Sequence, residues 1–209
     1  MVTVTFQAQA VQLSGEAQLE NAGDHDLLAA TRDGDQAAFQ EIVRRYRNPI
    51  VNFIYRMLND YDRALELAQE TFIRVYMSAS RYRAEYSFST YIYRIASNLA
   101  ISELRQRKRR KVVSLFVRSK GEFAEIEEMD PPDNRPLQDQ TLMEDEQKKA
   151  VRRAISSLPD KYRAPLVLRD IEGHSYDRIA NILDMSEGTV KSRINRARNL
   201  LKEKLSAYI

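Results

Sequence analysis

Between Ile50 and Lys120 the chain has neither glycine nor proline. These two residues cost most in a helix interior, about 1 and 3 kcal/mol relative to alanine, so their absence over so long a run favours extended helices. The apolar spacing agrees. Phe39, Ile42, Val43 and Tyr46 fall at i, i+3, i+4 and i+7, one face of a helix. Ile50, Phe53, Ile54 and Met57 repeat the pattern after Pro49, which suits the first turn of a second helix. Leu65, Ala68, Phe72, Val75 and Tyr76 predict a third, with Tyr76 read as core. Ile92, Ile95, Ala96 and Leu99 predict a fourth that runs on into a basic block. No stretch alternates strictly as a half-buried strand does, so the fold class is all-α.

Three of the six prolines, Pro131, Pro132 and Pro136, crowd into an acidic stretch with few apolar anchors. That composition predicts a flexible linker. The expected organisation is a tail over residues 1–23, a helical domain over 24–112, a linker over 113–140 and a second helical domain over 141–209. In the second domain the spacing predicts helices at about 141–157, 160–171, 175–183 and 186–205. Two parts on such a linker are not expected to be preorganised relative to each other.

Composition excludes much chemistry. With no cysteine there are no disulfides, thiolate zinc sites or cysteine nucleophiles. Two histidines, His25 and His174, do not make a histidine metal site. Neither a metal nor a cofactor is expected, and no catalytic residue. No stretch approaches the ~20 apolar residues of a membrane span, and no basic cap with an apolar run opens the chain. The expected location is the cytoplasm.

The net charge of +3 hides segregation. Arg105, Arg107, Lys108, Arg109, Arg110 and Lys111 form one basic block, and the segment from Ser186 to Lys204 forms another. Between them, Glu122 to Glu146 holds ten acids against Arg135. Two basic blocks around an acidic one mark a candidate polyanion binder.

The sharpest local signal lies at 175–201. Ser175 is placed to cap a helix containing Tyr176, Ile179, Ala180, Ile182 and Leu183, with Asp177 in its first turn. Asp184-Met185 makes a short turn. Ser186 caps the next helix, whose apolar stripe is Val190, Ile194, Ala197, Leu201 and Leu205. Two short helices around a tight turn form a helix-turn-helix, whose second helix enters the major groove. Its other face shows Thr189, Lys191, Ser192, Arg193, Asn195 and Arg196, residue types that reach base edges and phosphates. Gly188 and Thr189 open that helix, where backbone N–H groups favour a phosphate.

The first domain carries rings beside cations. Tyr76, Tyr82, Tyr86, Phe88, Tyr91 and Tyr93 are interleaved with Arg81 and Arg83. Residues 81–89 are too polar and aperiodic for a buried helix and read as a loop. Rings stack on unpaired bases while cations track phosphates. Ser97 and Asn98 supply polar groups for the edge of a flipped base. Upstream, Glu66, Gln69, Glu70 and Arg74 share a polar helix face opposite Leu65, Ala68 and Phe72.

Two segments resemble a known family. Gln69-Glu70-Thr71-Phe72-Ile73-Arg74-Val75-Tyr76, then Phe88 through Arg94 to Asn98, resemble the second conserved region of bacterial sigma factors. Leu158-Pro159 through Arg169, then Gly188-Thr189-Val190-Lys191-Ser192-Arg193 to Arg198, resemble their fourth region. With only a short linker between, the chain is similar to the extracytoplasmic-function (ECF) subfamily of the sigma-70 family over about residues 24–205.

That resemblance implies a subunit that binds core RNA polymerase, recognises promoters and melts them, in a stress or envelope response. Glu66, Gln69, Glu70 and Phe72 would dock on the clamp of the largest catalytic subunit. Arg81, Tyr82, Arg83, Tyr86, Phe88, Ser97, Asn98 and Arg105 would melt and capture the minus-10 element. Arg169, Tyr176, Asp177, Gly188, Thr189, Lys191, Ser192, Asn195 and Arg196 would read the minus-35 element as duplex, with the second domain on the flap of the second large subunit. The partners are thus core polymerase, promoter DNA and an anti-sigma factor. Leu65 departs from the family's acidic pair, leaving Glu66 alone, and Lys191 stands where arginine is frequent, which disfavours a bidentate guanine contact there. The alternative is a two-domain helix-turn-helix regulator that is not a polymerase subunit. It would need neither the ring-rich loop nor the Gln69-Glu70 face. A carboxylate enzyme would need Glu-x-x-His pairs, and His174 has Ile171 three residues before it.

Overall fold

The computed structural model describes residues 19–82, 85–118 and 142–206, and every element among them is helical. The tail up to residue 18, the linker from 119 to 141, and Arg83 lie outside the described residues. The helices are α1 (Asp24–Arg32), α2 (Gln36–Leu58), α3 (Tyr61–Ser78), α4 (Phe88–Arg118), α5 (Leu142–Ser156), α6 (Asp160–Leu166), α7 (Tyr176–Leu183) and α8 (Glu187–Leu205). A 3₁₀ turn at Ala79–Arg81 follows α3, and a π-helical turn at Val167–Ile171 extends α6.

Local chemistry sets most boundaries. Asp35 accepts from the amides of Ala37 and Ala38 at the start of α2. Asp60 accepts from the Arg63 amide at the start of α3. Such caps satisfy orphan N–H groups and contribute about 1 kcal/mol each. The helices α2 and α7 end on Asn59 (φ 52°) and Asp184 (φ 51°), left-handed positions that short polar residues tolerate.

Pro49 does not start a helix. It lies inside α2, which is continuous for 23 residues. The ring removes one amide donor and normally costs about 3 kcal/mol. Burial on both sides outweighs it: Ile42, Ile50, Phe53, Ile54 and Met57 are all fully buried, and each such side chain contributes roughly 1.5–3 kcal/mol.

Helices α1–α4 form one bundle around those residues, with Leu67, Ala68, Phe72 and Val75 of α3 and Phe88, Ile92, Ala96 and Ala100 of α4. Helices α5–α8 close a smaller core of Leu158, Leu166, Val167, Leu168, Ile179, Ile182, Val190, Ile194 and Ala197. Residues 19–23 are not a loose tail. Arg45 donates to the carbonyls of Leu19, Glu20 and Ala22 and to the Asp24 carboxylate, all at 2.8–2.9 Å. Glu41, buried, holds Arg45 in place from the same helix.

The two domains pack directly on each other, against the expectation of unordered parts on a tether. Tyr93 of α4 packs edge-on to His174 and donates to Glu172 at 2.7 Å. Buried groups from both sides form one continuous cluster.

Candidate nucleic-acid interface

The helix-turn-helix forms as its sequence predicts. Ser175 accepts from the Arg178 amide and Ser186 from the Thr189 amide. Val190, Ile194 and Ala197 are buried against the rest of the domain. That burial rotates Lys191, Ser192, Asn195 and Arg196 outward, and all four are exposed. Gly188 is exposed too, and a Cβ there would meet nothing within 4 Å, so the α8 N-terminus is open to a phosphate.

Three neighbours are engaged within the protein. The Arg169 guanidinium lies 4.9 Å from the Tyr176 ring centroid and donates to the His174 carbonyl at 2.9 Å. The pair shapes the loop before α7. Arg198 forms a two-point contact with Asp170 at 2.5 and 3.0 Å, which takes it away from bases. Thr189 shares its hydroxyl with Ser186 at 2.8 Å. Asp177 remains exposed in the first turn of α7.

The ring-rich segment is only partly a loop. Tyr82 stacks with His25 at 5.7 Å, meets Tyr91 edge-on at 4.9 Å, and approaches the His25 Nδ1 at 3.1 Å. Arg81, Tyr86 and Asn98 are exposed, and the Arg94 guanidinium sits 5.8 Å from the Tyr86 centroid. Arg81 and Tyr86 thus present a cation and a ring of the kinds that meet unpaired bases, whereas Arg94 is held by the Asn181 carbonyl. Phe88 and Ser97 are buried. Phe88 starts α4 and is 1% exposed, edge-on to Tyr46 at 5.1 Å. Ser97 is fully buried, and its hydroxyl has no hydrogen-bond partner. The helical register that exposes Asn98 turns Ser97 inward, so Ser97 is not on the surface a base would meet.

The basic block divides in the same way. Arg107 is held by Glu103 and Asp60 at 3.0 and 2.7 Å, while Arg63 bridges Glu103 and Glu66 at 2.8 and 2.5 Å. Burial raises the Glu103 and Asp60 carboxyls, but the arginines hold both below the usual range, so the network stays ionised at neutral pH. Arg105, Arg109 and Arg110 have no ion pair among the described residues and are exposed.

On α3, Gln69 is exposed and Glu70 pairs with Arg74 at 2.8 Å. Glu66 is exposed beside Arg63. Phe72 is 7% exposed, a core residue that fixes the helix rather than a docking contact. Tyr76, expected in the core, is 51% exposed, with Ile73 at 53% and Met77 at 71%. These three lie at i, i+3 and i+4 and make a second apolar stripe beside Gln69 and Glu70. The spacing is legible in the sequence, but a short overlapping stripe reads there as part of one wide buried face.

The described residues contain no group of three metal-ligating side chains, and no helix among them is long and apolar enough to cross a membrane.

Comparison with known proteins follows the same two surfaces. Residues 42–110 match the family description Sigma-70 region 2, and residues 148–201 match Sigma-70, region 4. The RNA polymerase sigma-H factor of Pseudomonas aeruginosa is 34% identical over 190 residues, covering 89% of this chain and 95% of the relative. The ECF RNA polymerase sigma factor SigW of Bacillus subtilis is 35% identical over 183 residues, 85% of this chain and 94% of the relative. Among solved structures, the sigma factor RpoE of Bartonella quintana, in complex with the anti-sigma factor NepR, superposes with TM-score 0.59 at 25% identity over 80% of this chain and 96% of that one. CnrH in complex with the cytosolic domain of CnrY shares the fold, with TM-score 0.65 at 20% identity over 89% of this chain and 99% of that one. The chain belongs to the ECF sigma factors of the sigma-70 family. It is thus a sigma factor for transcription initiation, and the match to region 2 disfavours a regulator that works apart from polymerase.

Proposed function

We propose that α3 and α8 divide the work of a sigma factor between them. The exposed face of α3, Glu66, Gln69 and Glu70 with Ile73, Tyr76 and Met77, docks on core RNA polymerase. Arg81, Tyr82, Tyr86, Asn98 and Arg105 engage the melted minus-10 element. Gly188, Lys191, Ser192, Asn195 and Arg196 read the minus-35 duplex. Arg169 and Tyr176 position the loop that presents them. The domains follow the same division, with residues 24–112 serving polymerase and the minus-10 element and 141–209 the minus-35 element.

One observation carries the reading. The burial of Val190, Ile194 and Ala197 leaves the donor-rich face of α8 open, while α3 exposes an apolar stripe beside acids on the other domain. A lone duplex binder has no use for the second surface. Work with polymerase places the protein in the cytoplasm. RpoE of Bartonella quintana is solved with an anti-sigma factor, which supports control of this chain by a partner of that class. Run-off transcription with purified core polymerase tests the reading. Promoter-specific transcripts are expected only when this chain is added, and their absence across a genomic promoter library overturns it.

A further inference from the structure

The contacts between the two domains have a feature that simple packing does not require. Each domain caps a helix C-terminus of the other. Arg94 of α4 donates twice, through Nε and Nη2, to the Asn181 carbonyl in the last turn of α7, at 3.0 and 2.6 Å. In return Arg163 of α6 donates to the Met57 carbonyl in the last turn of α2 at 2.5 Å. The last four carbonyls of a helix lack intrahelical donors and carry the negative end of the dipole, so a cation there is favoured. Tyr93 adds its bond to Glu172, and Lys108 pairs with Asp160 at 2.6 Å.

Candidate DNA-reading groups lie in the same seam. Arg105 of α4 and Arg193 of α8 line one cleft of about 470 Å³, with Lys108, Leu183 and Met185 between them. On a promoter the two domains serve elements whose names set them about 25 base pairs apart, roughly 85 Å along B-form DNA. Groups that share one cleft cannot also span that distance.

We propose that this chain represses itself in the free state through a reciprocal helix-capping latch, Arg94 on α7 and Arg163 on α2, secured by Tyr93–Glu172. Core polymerase and promoter would act by separating the domains, and water then replaces the exchanged caps. The proposal rests on the sigma-factor reading only for what opens the latch. The closed state itself rests on the contacts.

The test uses the full chain. It has no cysteine, so Asn52→Cys on α2 and Lys202→Cys on α8, both exposed, accept spin labels alone. Tyr93→Phe with Arg94→Met removes three of the cross-domain bonds while keeping a ring and an aliphatic stem. Arg163 is left intact because it also serves the Ser156 and Leu158 carbonyls of its own domain. The free parent chain is expected to give one narrow, short label distance, lengthened by tens of ångströms with core polymerase and promoter. The free double variant is expected to give a broad, longer distribution. It is also expected to bind DNA carrying both elements, with the minus-10 segment premelted, about tenfold more tightly than the parent in the absence of polymerase, the gain from raising the open fraction by that factor.

A free parent chain as broadly distributed as the variant overturns the latch, as does a variant that stays short with unchanged affinity. If the double variant loses helical circular dichroism, Arg94→Met alone, at a half-buried surface position, is read in its place. Run-off transcription separates the two claims. A parent that is closed but inactive with core polymerase keeps the latch and refutes the sigma reading; an active parent with no closed state does the reverse.

Discussion

The core of the α1–α4 bundle and the outer face of α8 use their cations in opposite ways. Within the bundle, Arg44, Arg45, Arg63 and Arg107 are tied down, while Arg105 of α4 stays exposed. Arg44 and Arg45 converge on buried Glu41, whose carboxyl their bonds hold below the usual range against the opposing effect of burial. Arg63 and Arg107 lock Asp60, Glu66 and Glu103. In the second domain, α8 carries Lys191 and Arg196 outward with no ion pair among the described residues, while Arg198 on the same helix is held by Asp170. Cations needed for architecture come with acids three or four residues away or across a helix pair. Exposed cations left without acids, such as Lys191 and Arg196, are the ones we propose to bind DNA.

The largest expected effect tests a cation of the second domain that is wholly structural. Arg163 is 7% exposed and its guanidinium serves carbonyls at Met57, Ser156 and Leu158. Burial lowers its pKa, but guanidinium stays charged. Arg163→Met leaves three carbonyls without that donor and is expected to cost about 3–5 kcal/mol, read by urea denaturation. A loss below about 1 kcal/mol would place Arg163 with the surface cations.

Acid tests the seam next. Burial, and then the positive charge of Arg178, depress His174 to about 4, and its Nε2 has no partner. Its surroundings are Tyr93, which burial and the bond to Glu172 push up and keep a donor, and Glu172, which burial raises. A depressed histidine disfavours protonation in the folded state. Its stabilisation is therefore complete above about 6.5 and falls as pH drops from there towards 4, by up to about 3 kcal/mol. Raised Glu172 works the other way and offsets part of the loss. His174→Gln is expected to flatten the pH dependence of unfolding in that window, and an unchanged slope would exclude His174 as its source.

DNA binding should separate two arginines on one helix. Arg196→Ala is expected to cost roughly 1–3 kcal/mol in minus-35 duplex affinity and to relax preference at one base position. Arg198→Ala, released from Asp170, should leave base preference unchanged. Fluorescence anisotropy on a panel of single-base variants reads both. Loss of preference in Arg198→Ala would mean that the ion pair opens on DNA.

The smallest stability effect is paired with a functional one. Glu70→Ala breaks an exposed i, i+4 pair with Arg74 worth about 0.5 kcal/mol or less. Thermal stability should barely move, whereas affinity for core polymerase should fall. Equal polymerase affinity would take Glu70 off the docking face.

Much of this was legible along the chain. The glycine- and proline-free run set the long helices, because helix propensity and 3.6-residue periodicity act within a few turns. Ser175 and Ser186 marked both helix starts of the helix-turn-helix through the same local chemistry. The outward set on α8 followed from its apolar stripe, since burying one face exposes the other. The match weakened where two helical faces overlap. Tyr76 read as core because Val75 beside it is, and Phe72 and Phe88 read as contacts because motif position does not report burial. Ser97 and Asn98 are neighbours in sequence, yet 100° of helical rotation sends one into the core and the other to solvent.

The sequence by itself determined most of the helices, their caps, the exposed polar face of α8 and the family, because each depends on residues within a few positions of one another or on matching order along the chain. Only the tertiary structure decided that Pro49 sits inside a continuous helix, that Arg45 fastens residues 19–23, and that Arg94 and Arg163 exchange caps across the seam. Those contacts join residues 21 to 106 positions apart. An arginine's partner at such a separation is set by how the helices pack, and no periodicity in the chain records it.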